Sequence, residues 1–145
     1  MRRTWVGLSA LAVAIACGDG DVTGITANRL VGTWEATDME FVNRNNPLQV
    51  VDFAGQGAGL TAVFRSDGRY TLTLHAVGIP ESFAGSWEVQ AGQLVLRDDG
   101  DPDPVRFDVS LSGNRLTAVT NDAEYDFNGD ATDDPATLRM VLIRQ

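Results

Sequence analysis

The stretch "LTAVFRSDGRYTLTLH", residues 60–75, decides the fold, because it has the pattern of two β-strands and the turn that joins them. In each half every second residue belongs to one apolar set: Leu60, Ala62 and Phe64 before the turn, then Tyr70, Leu72 and Leu74 after it. A period of two places such side chains on one side of a strand. Between the halves lies "SDGR", whose residues favour a tight reversal of the chain. The stretch therefore predicts an antiparallel hairpin with one apolar face.

The same pattern recurs along the rest of the chain and predicts eight strands in all. They cover approximately residues 30–41, 58–66, 69–77, 82–89, 93–98, 104–111, 114–121 and 136–144. No convincing amphipathic helix lies between residue 28 and the C-terminus. With 145 residues, 43% of them hydrophobic, the chain has the size of one globular domain with a buried core. We therefore expect one all-β domain over residues 28–145.

The connections indicate how the eight strands are arranged. Tight turns, "SDGR", "QAGQ" and "SGNR", alternate with mostly longer links, of which "VNRNNPLQVVDFAGQG" and "NDAEYDFNGDATDD" are the longest. In an antiparallel meander, alternate connections fall at the same end, so we expect one closed end and one open end with every long loop. Eight such strands can close into a barrel, which leaves no exposed sheet edge. A β-sandwich is the alternative, and the short hairpins favour the up-and-down barrel.

The first predicted strand contains "RLVGTWEA", residues 29–36, with a G-x-W motif at Gly32 and Trp34. This stretch resembles the opening of a lipocalin. In lipocalins this motif begins the first of eight up-and-down strands, and an arginine of the last strand packs over the tryptophan at the closed end. Arg144 matches that arginine, because it lies on the apolar face of the last predicted strand. The resemblance implies a lipocalin-like barrel that holds a small hydrophobic ligand, although the chain has no T-D-Y loop motif and no helix or cysteine after the last strand.

The N-terminus has the pattern of an export signal. Arg2 and Arg3 precede an apolar run, residues 5–15, which is too short to cross a bilayer as a helix. Small residues follow, and then Cys17, the only cysteine of the chain. The arrangement resembles a bacterial lipoprotein signal, in which the chain is cut before the cysteine and the thiol is acylated. An ordinary secretory signal cut after Ala16 is the alternative.

The lipoprotein resemblance implies a cellular location. On this resemblance we expect residues 1–16 to be the signal peptide and residues 17–27 to be the lipidated cysteine and a short glycine-rich tether. The implied partner is the lipid bilayer, reached through acylated Cys17, at the outer membrane or periplasmic face of the bacterial cell envelope. Acylation leaves no thiol for a disulfide, so the core must stabilise the exported domain.

Charge and composition disfavour several classes of function. Acids outnumber arginines 20 to 11, there is no lysine, and the net charge is −9. Nucleic acids require clustered positive charge, so we expect no nucleic-acid partner. The single histidine, His75, falls on the outward face of the third predicted strand. Without lysine or a free thiol, most pairs of nucleophile and base are missing, so we predict no enzyme activity. Separately, we expect a monomer.

The barrel interior is the first candidate site. Large inward residues that could line a ligand pocket are Leu60, Phe64, Tyr70, Leu72, Phe83, Trp87, Phe107 and Met140. A barrel of this size is filled by its own side chains or holds one small ligand. Two functions follow: a carrier or sensor of a small apolar ligand, or a structural or protein-interaction domain with a filled barrel, whose loops contact an envelope partner.

The acidic loops are the second candidate site. "RDDGDPDP" and "NDAEYDFNGDATDD" both fall at the open end, where their charge would repel anions and concentrate cations. Within the second loop, oxygen ligands recur at Asp126, Asn128, Asp130 and Asp134, as in the first part of an EF-hand calcium loop. A solvated turn is the alternative, because the glycine and the bidentate glutamate of an EF-hand are missing. Apart from calcium, no cofactor is expected.

Overall fold

The computed structural model describes residues 25–76 and 80–145. In this part the chain forms one helical turn, α1 (Ala27–Leu30), and nine strands. The strands are β1 (Gly32–Asn43), β2 (Val50–Asp52), β3 (Gly59–Phe64), β4 (Arg69–His75), β5 (Glu81–Gln90), β6 (Gln93–Asp98), β7 (Val105–Ser112), β8 (Arg115–Tyr125) and β9 (Asp134–Arg144). The predicted signal peptide, Cys17 and most of the predicted tether lie outside the described residues.

The strands form one antiparallel sheet that closes on itself. β1 pairs with β9 from Trp34, opposite Arg144, to Asn43, opposite Ala136. On its other side β1 pairs with β3 along its first part and with β2 along its last part, so β2 and β3 share one position in the barrel. The remaining strands pair with their sequence neighbours. The predicted eight-stranded up-and-down barrel is confirmed, and the β-sandwich is excluded.

The structure differs from the expected strands in detail. β2 and α1 were not expected, because three or four residues are too few for a periodic pattern to be recognised. β8 and β9 extend beyond their predicted bounds and pair as far as Tyr125 opposite Asp134. Within residues 25–76 and 80–145, no helix is both long and apolar enough to cross a membrane.

The two ends of the barrel differ as the connections predicted. The three short hairpins, β3 to β4, β5 to β6 and β7 to β8, lie at the end where β1 begins and β9 ends. The other end carries the connections that follow β1, β4, β6 and β8. We call these the closed end and the mouth.

A bulge in β1 decides which of its residues point into the barrel. Trp34 and Ala36 pair with Arg144 and Leu142, but the register shifts between Ala36 and Asp38. The bulge moves the inward positions by one residue, so Met39 is 5% exposed and joins the core. The sequence pattern alone misassigns this half of β1, because its period of two is interrupted.

Candidate functional site

The closed half of the barrel is filled by its own side chains. The ring centroids of Phe64 and Trp87 lie 5.3 Å apart, and the indole Nε1 of Trp87 donates a 3.0 Å hydrogen bond to the backbone oxygen of Arg65. Above this layer, a space of only about 20 Å³ remains between residues such as Ala62, Leu116 and Leu142. That volume is about one water molecule, so this half of the barrel is a packed core.

The closed end is sealed by contacts between the first and the last strand. Trp34 is fully buried, and its Nε1 donates a 2.9 Å hydrogen bond to the backbone oxygen of Leu30. The guanidinium Cζ of Arg144 lies 4.3 Å from the Trp34 ring centroid, the arrangement expected from the sequence. Arg144 also donates to the backbone oxygens of Val31, at 2.8 Å, and of Arg29. These bonds tie the chain before β1 to the end of β9.

Gly32 makes this close approach possible. Its φ of +138° is unfavourable for a residue with a side chain, and a Cβ there would lie 2.9 Å from Nη1 of Arg144. Glycine therefore leaves room for the guanidinium against the start of β1.

The mouth contains two neighbouring cavities that are open to solvent. The larger has a volume of about 320 Å³ and the smaller about 210 Å³. They share four lining residues: Leu72, Phe83, Phe107 and Leu138. The smaller is wholly apolar and is completed by residues such as Met39, Phe41 and Phe53. The mouth is thus a continuous apolar hollow above a packed floor.

Phe83 is the most exposed aromatic residue of this hollow. It lies near the start of β5, pairs with Leu72 and lines both cavities, yet it is 44% exposed. Large apolar side chains inside a barrel are normally covered, because leaving such surface in water is unfavourable. The exposed ring offers a binding surface within the mouth.

Five acidic residues line the larger cavity: Asp98, Asp101, Asp103, Asp122 and Glu124. The first three follow one another from the end of β6 into the next loop, where Asp98 accepts a 2.8 Å hydrogen bond from the Gly100 amide. The other two lie in β8: Asp122 within the register shift between Thr120 and Ala123, and Glu124 just beyond it. We call this set the acidic rim.

The arginines do not neutralise the acidic rim. Within the described part of the chain, the four ion pairs join Arg65 to Asp67, Arg69 to Asp99, Arg97 to Glu88 and Arg139 to Glu40. Hydrogen bonding from Arg69 lowers the pKa of Asp99. Its neighbour Asp98, which belongs to the rim, forms none of these four ion pairs. The field of the rim is therefore negative.

An aromatic cluster supports the smaller cavity. The rings of Phe41 and Phe53 lie 5.2 Å apart, and Tyr125 packs on both, at 5.2 Å and 5.6 Å. Phe127 extends the cluster, with its centroid 5.0 Å from that of Tyr125. These contacts join β1, the segment after β2 and the end of β8, which fixes the wall of the mouth.

The loop with the calcium-like pattern is organised by its own backbone. The carboxylate of Asp126 accepts hydrogen bonds from the amides of Asn128, Gly129, Asp130 and Ala131, at 2.8 to 3.3 Å. Desolvation opposes ionisation of this carboxyl, but these bonds together lower its pKa. Among the residues described, no group of three His, Cys, Asp or Glu side chains is placed to hold a metal ion. Calcium binding by Asp126, Asn128, Asp130 and Asp134 stays a prediction.

The structure separates the predicted pocket residues into two groups. Phe64 and Trp87 pack in the closed half, whereas the other six line the mouth cavities: Leu60, Tyr70, Leu72, Phe83, Phe107 and Met140. The pocket prediction did not include Met39, Phe41 and Phe53. The first two are hidden by the bulge in β1, and Phe53 lies in a segment that reads as a loop. An apolar residue within that polar loop was the only available signal.

His75 is the one histidine of the described chain. His75 is exposed at the end of β4, where its Nε2 lies 3.5 Å from the hydroxyl of Thr61.

Comparison of the chain with family models, curated proteins and solved structures gives no match in any of the three. Inference about function therefore rests on the geometry of the mouth.

Proposed function

We propose that the protein is a lipid-anchored lipoprotein of the bacterial cell envelope whose lipocalin-like barrel binds a small apolar ligand in its mouth. The observation that carries the binding proposal is the apolar hollow of about 320 and 210 Å³ around the half-exposed ring of Phe83. Small-molecule pockets in proteins typically measure about 300 to 1,000 Å³. Covering the rest of the Phe83 ring would contribute about 1 kcal/mol to ligand affinity.

The division of the barrel supports a site in the open half. The packed layer around Phe64 and Leu116 leaves room for about one water molecule, so a ligand would rest on this floor. The chain also enters the barrel at the closed end, where α1 and Gly32 lie. A lipid anchor that precedes this part of the chain is compatible with a free mouth.

The second candidate is a protein-interaction domain, and one observation favours it. Leu48 is 93% exposed and Val50 is 49% exposed, both between β1 and the end of β2. These apolar side chains could contact an envelope partner. The two functions use different surfaces, which allows them to be tested separately.

Binding of N-phenyl-1-naphthylamine, an uncharged probe that fluoresces in apolar surroundings, tests the carrier function. We expect saturable binding with one probe per barrel. Phe83→Asp should weaken this binding at least tenfold, because a carboxylate in the hollow is poorly solvated when the probe binds. Leu48→Asp is the matched control and should leave the affinity unchanged. Circular dichroism of both variants checks that the barrel is intact. Absence of saturable binding, or equal losses in the two variants, would refute the carrier function.

A further inference from the structure

We propose that the ligand of the mouth is an organic cation, a small amphiphile with an apolar body and one ammonium group. This inference rests on the proposed binding function and names the chemical class of the ligand. The apolar body would lie on the floor of the hollow, and the ammonium group would lie against the acidic rim.

The charges around the two cavities are of one sign. Five acidic residues line the larger cavity, and among the described residues neither cavity is lined by an arginine or a histidine. A ligand carboxylate or phosphate would face only like charges, whereas an ammonium group would face only opposite ones. Because the rim stands above an apolar floor, it favours a cation that also has a body to bury.

A hydroxyl in the wall of the larger cavity has no hydrogen-bond partner among the described residues. Tyr70 is only 3% exposed and lines this cavity. Its hydroxyl makes no hydrogen bond to any described residue. Among the described residues, every side-chain nitrogen or oxygen that is shielded from solvent has a hydrogen-bond partner. The hydroxyl therefore keeps access to the cavity. Burial, and then the nearby charges of Asp98 and Asp99, raise the pKa of Tyr70, so the phenol stays neutral and can accept a hydrogen bond from an ammonium N–H.

Aromatic rings of the same wall also favour a cation. Tyr70, Phe83 and Phe107 all line the larger cavity beneath the rim. The face of an aromatic ring attracts cations, and aromatic side chains commonly line sites for substituted ammonium groups. An inorganic cation would use the rim alone, and no three rim carboxylates are placed to coordinate one within the described chain. An organic cation uses the rings, the rim and the apolar floor together.

Three ligands with the same decyl chain provide the test: decylammonium, decanol and decanoate, each below its micelle concentration or solubility limit. Displacement of N-phenyl-1-naphthylamine measures their affinities. At low salt we expect the cation to bind about tenfold more tightly than decanol, and decanoate to bind most weakly. In 0.5 M NaCl the advantage of the cation should shrink to about twofold, because salt screens the exposed carboxylates.

A double substitution shows whether the rim causes the preference. The side chains of Asp103 and Glu124 accept no hydrogen bond from a described residue, so Asp103→Asn with Glu124→Gln removes charge without breaking a contact of the fold. We expect this variant to lose most of the preference for the cation and to bind decanol as before. Glu35→Gln with Asp108→Asn is the matched control, since it removes the same charge from the exposed outer wall and should keep the preference.

The outcomes distinguish this inference from the binding function itself. If none of the three ligands binds, the proposed function fails. If all three bind equally, or decanoate binds best, the mouth is a ligand site but the inference is overturned. A preference for the cation that survives the rim substitutions, or that the control also abolishes, would overturn it as well.

Discussion

The closed end offers the sharpest test of the packing, and Arg144→Met is the perturbation. Arg144 lies over the Trp34 ring and donates hydrogen bonds to the backbone oxygens of Val31 and Arg29. Methionine keeps most of the apolar stem but removes the charge and both donors. The substitution therefore isolates the polar contacts that join the chain before β1 to the end of β9.

The expected loss follows from these contacts. Hydrogen bonds from a charged donor are worth about 1.5 to 3 kcal/mol each when they are buried, and a cation-π contact about 0.5 to 2 kcal/mol. Arg144 is partly buried, and water can replace part of both hydrogen bonds, so we expect a net loss of about 2 to 3 kcal/mol. With a urea dependence of about 2 kcal/mol per molar, the unfolding midpoint should fall by about 1 to 1.5 M.

Equilibrium unfolding in urea, followed by tryptophan fluorescence, measures this shift. Arg144→Lys should lose about half as much, because an ammonium group keeps the cation-π contact but cannot bond both oxygens in the same geometry. Arg115→Met is the control: Arg115 is exposed, also lies beside the closed end and makes no ion pair with a described residue, so it should change stability by less than about 0.5 kcal/mol. If Arg144→Met shifts the midpoint no more than Arg115→Met, the reasoning is wrong.

Four further predictions concern other parts of the chain. Gly85→Ala should destabilise the barrel by about 3 kcal/mol or more in the same urea assay, because a Cβ would lie 1.9 Å from the Arg97 backbone oxygen. Gly59→Ala is the control and should be nearly neutral, because its Cβ would lie 3.9 Å from the nearest atom, the Cβ of His75. Cys17→Ser should move the protein from the membrane to the soluble fraction and abolish labelling by palmitate; continued sedimentation with membranes would contradict acylation. The lowered pKa of Asp126 stabilises the fold above about pH 4, and this contribution is lost as pH falls through the folded-state pKa, so Asp126→Asn should weaken the acid dependence of stability. Calcium should be compared with magnesium in the natural protein and in Asp126→Asn. If calcium alone stabilises the natural protein, and Asp126→Asn removes this effect, the predicted metal site is established.

The alternation of residues was sufficient to predict the barrel. In residues 60–75 the apolar set points inward along β3 and β4, and the register pairs Leu60 with Leu74 and Phe64 with Tyr70. Turn chemistry placed the short hairpins at one end, since "SDGR" and its counterparts allow only a tight reversal. Both signals depend only on residues that are close in sequence, so contacts between distant parts of the chain do not change them.

The mouth was only partly predictable, because its geometry depends on tertiary contacts. The bulge between Ala36 and Asp38 reverses the parity of the second half of β1, and no local pattern marks it. Phe53 enters the hollow because its amide donates a 2.9 Å hydrogen bond to the Met39 backbone oxygen, which folds the segment after β2 against the barrel. Parity shows that a residue points inward, but it cannot show that Phe64 fills the barrel while Phe83 borders an open space.

The central claim is that the open half of the barrel is the ligand site and the closed half is solid. A methyl NMR titration with decanol tests it most directly, since an uncharged ligand makes the result independent of the acidic rim. We expect saturable shifts for Leu72, Leu138 and Met140, which line the hollow, and none for Leu30 in the closed end. Shifts confined to Leu48 on the outer surface, or no saturable shift at any of these methyl groups, would contradict the account.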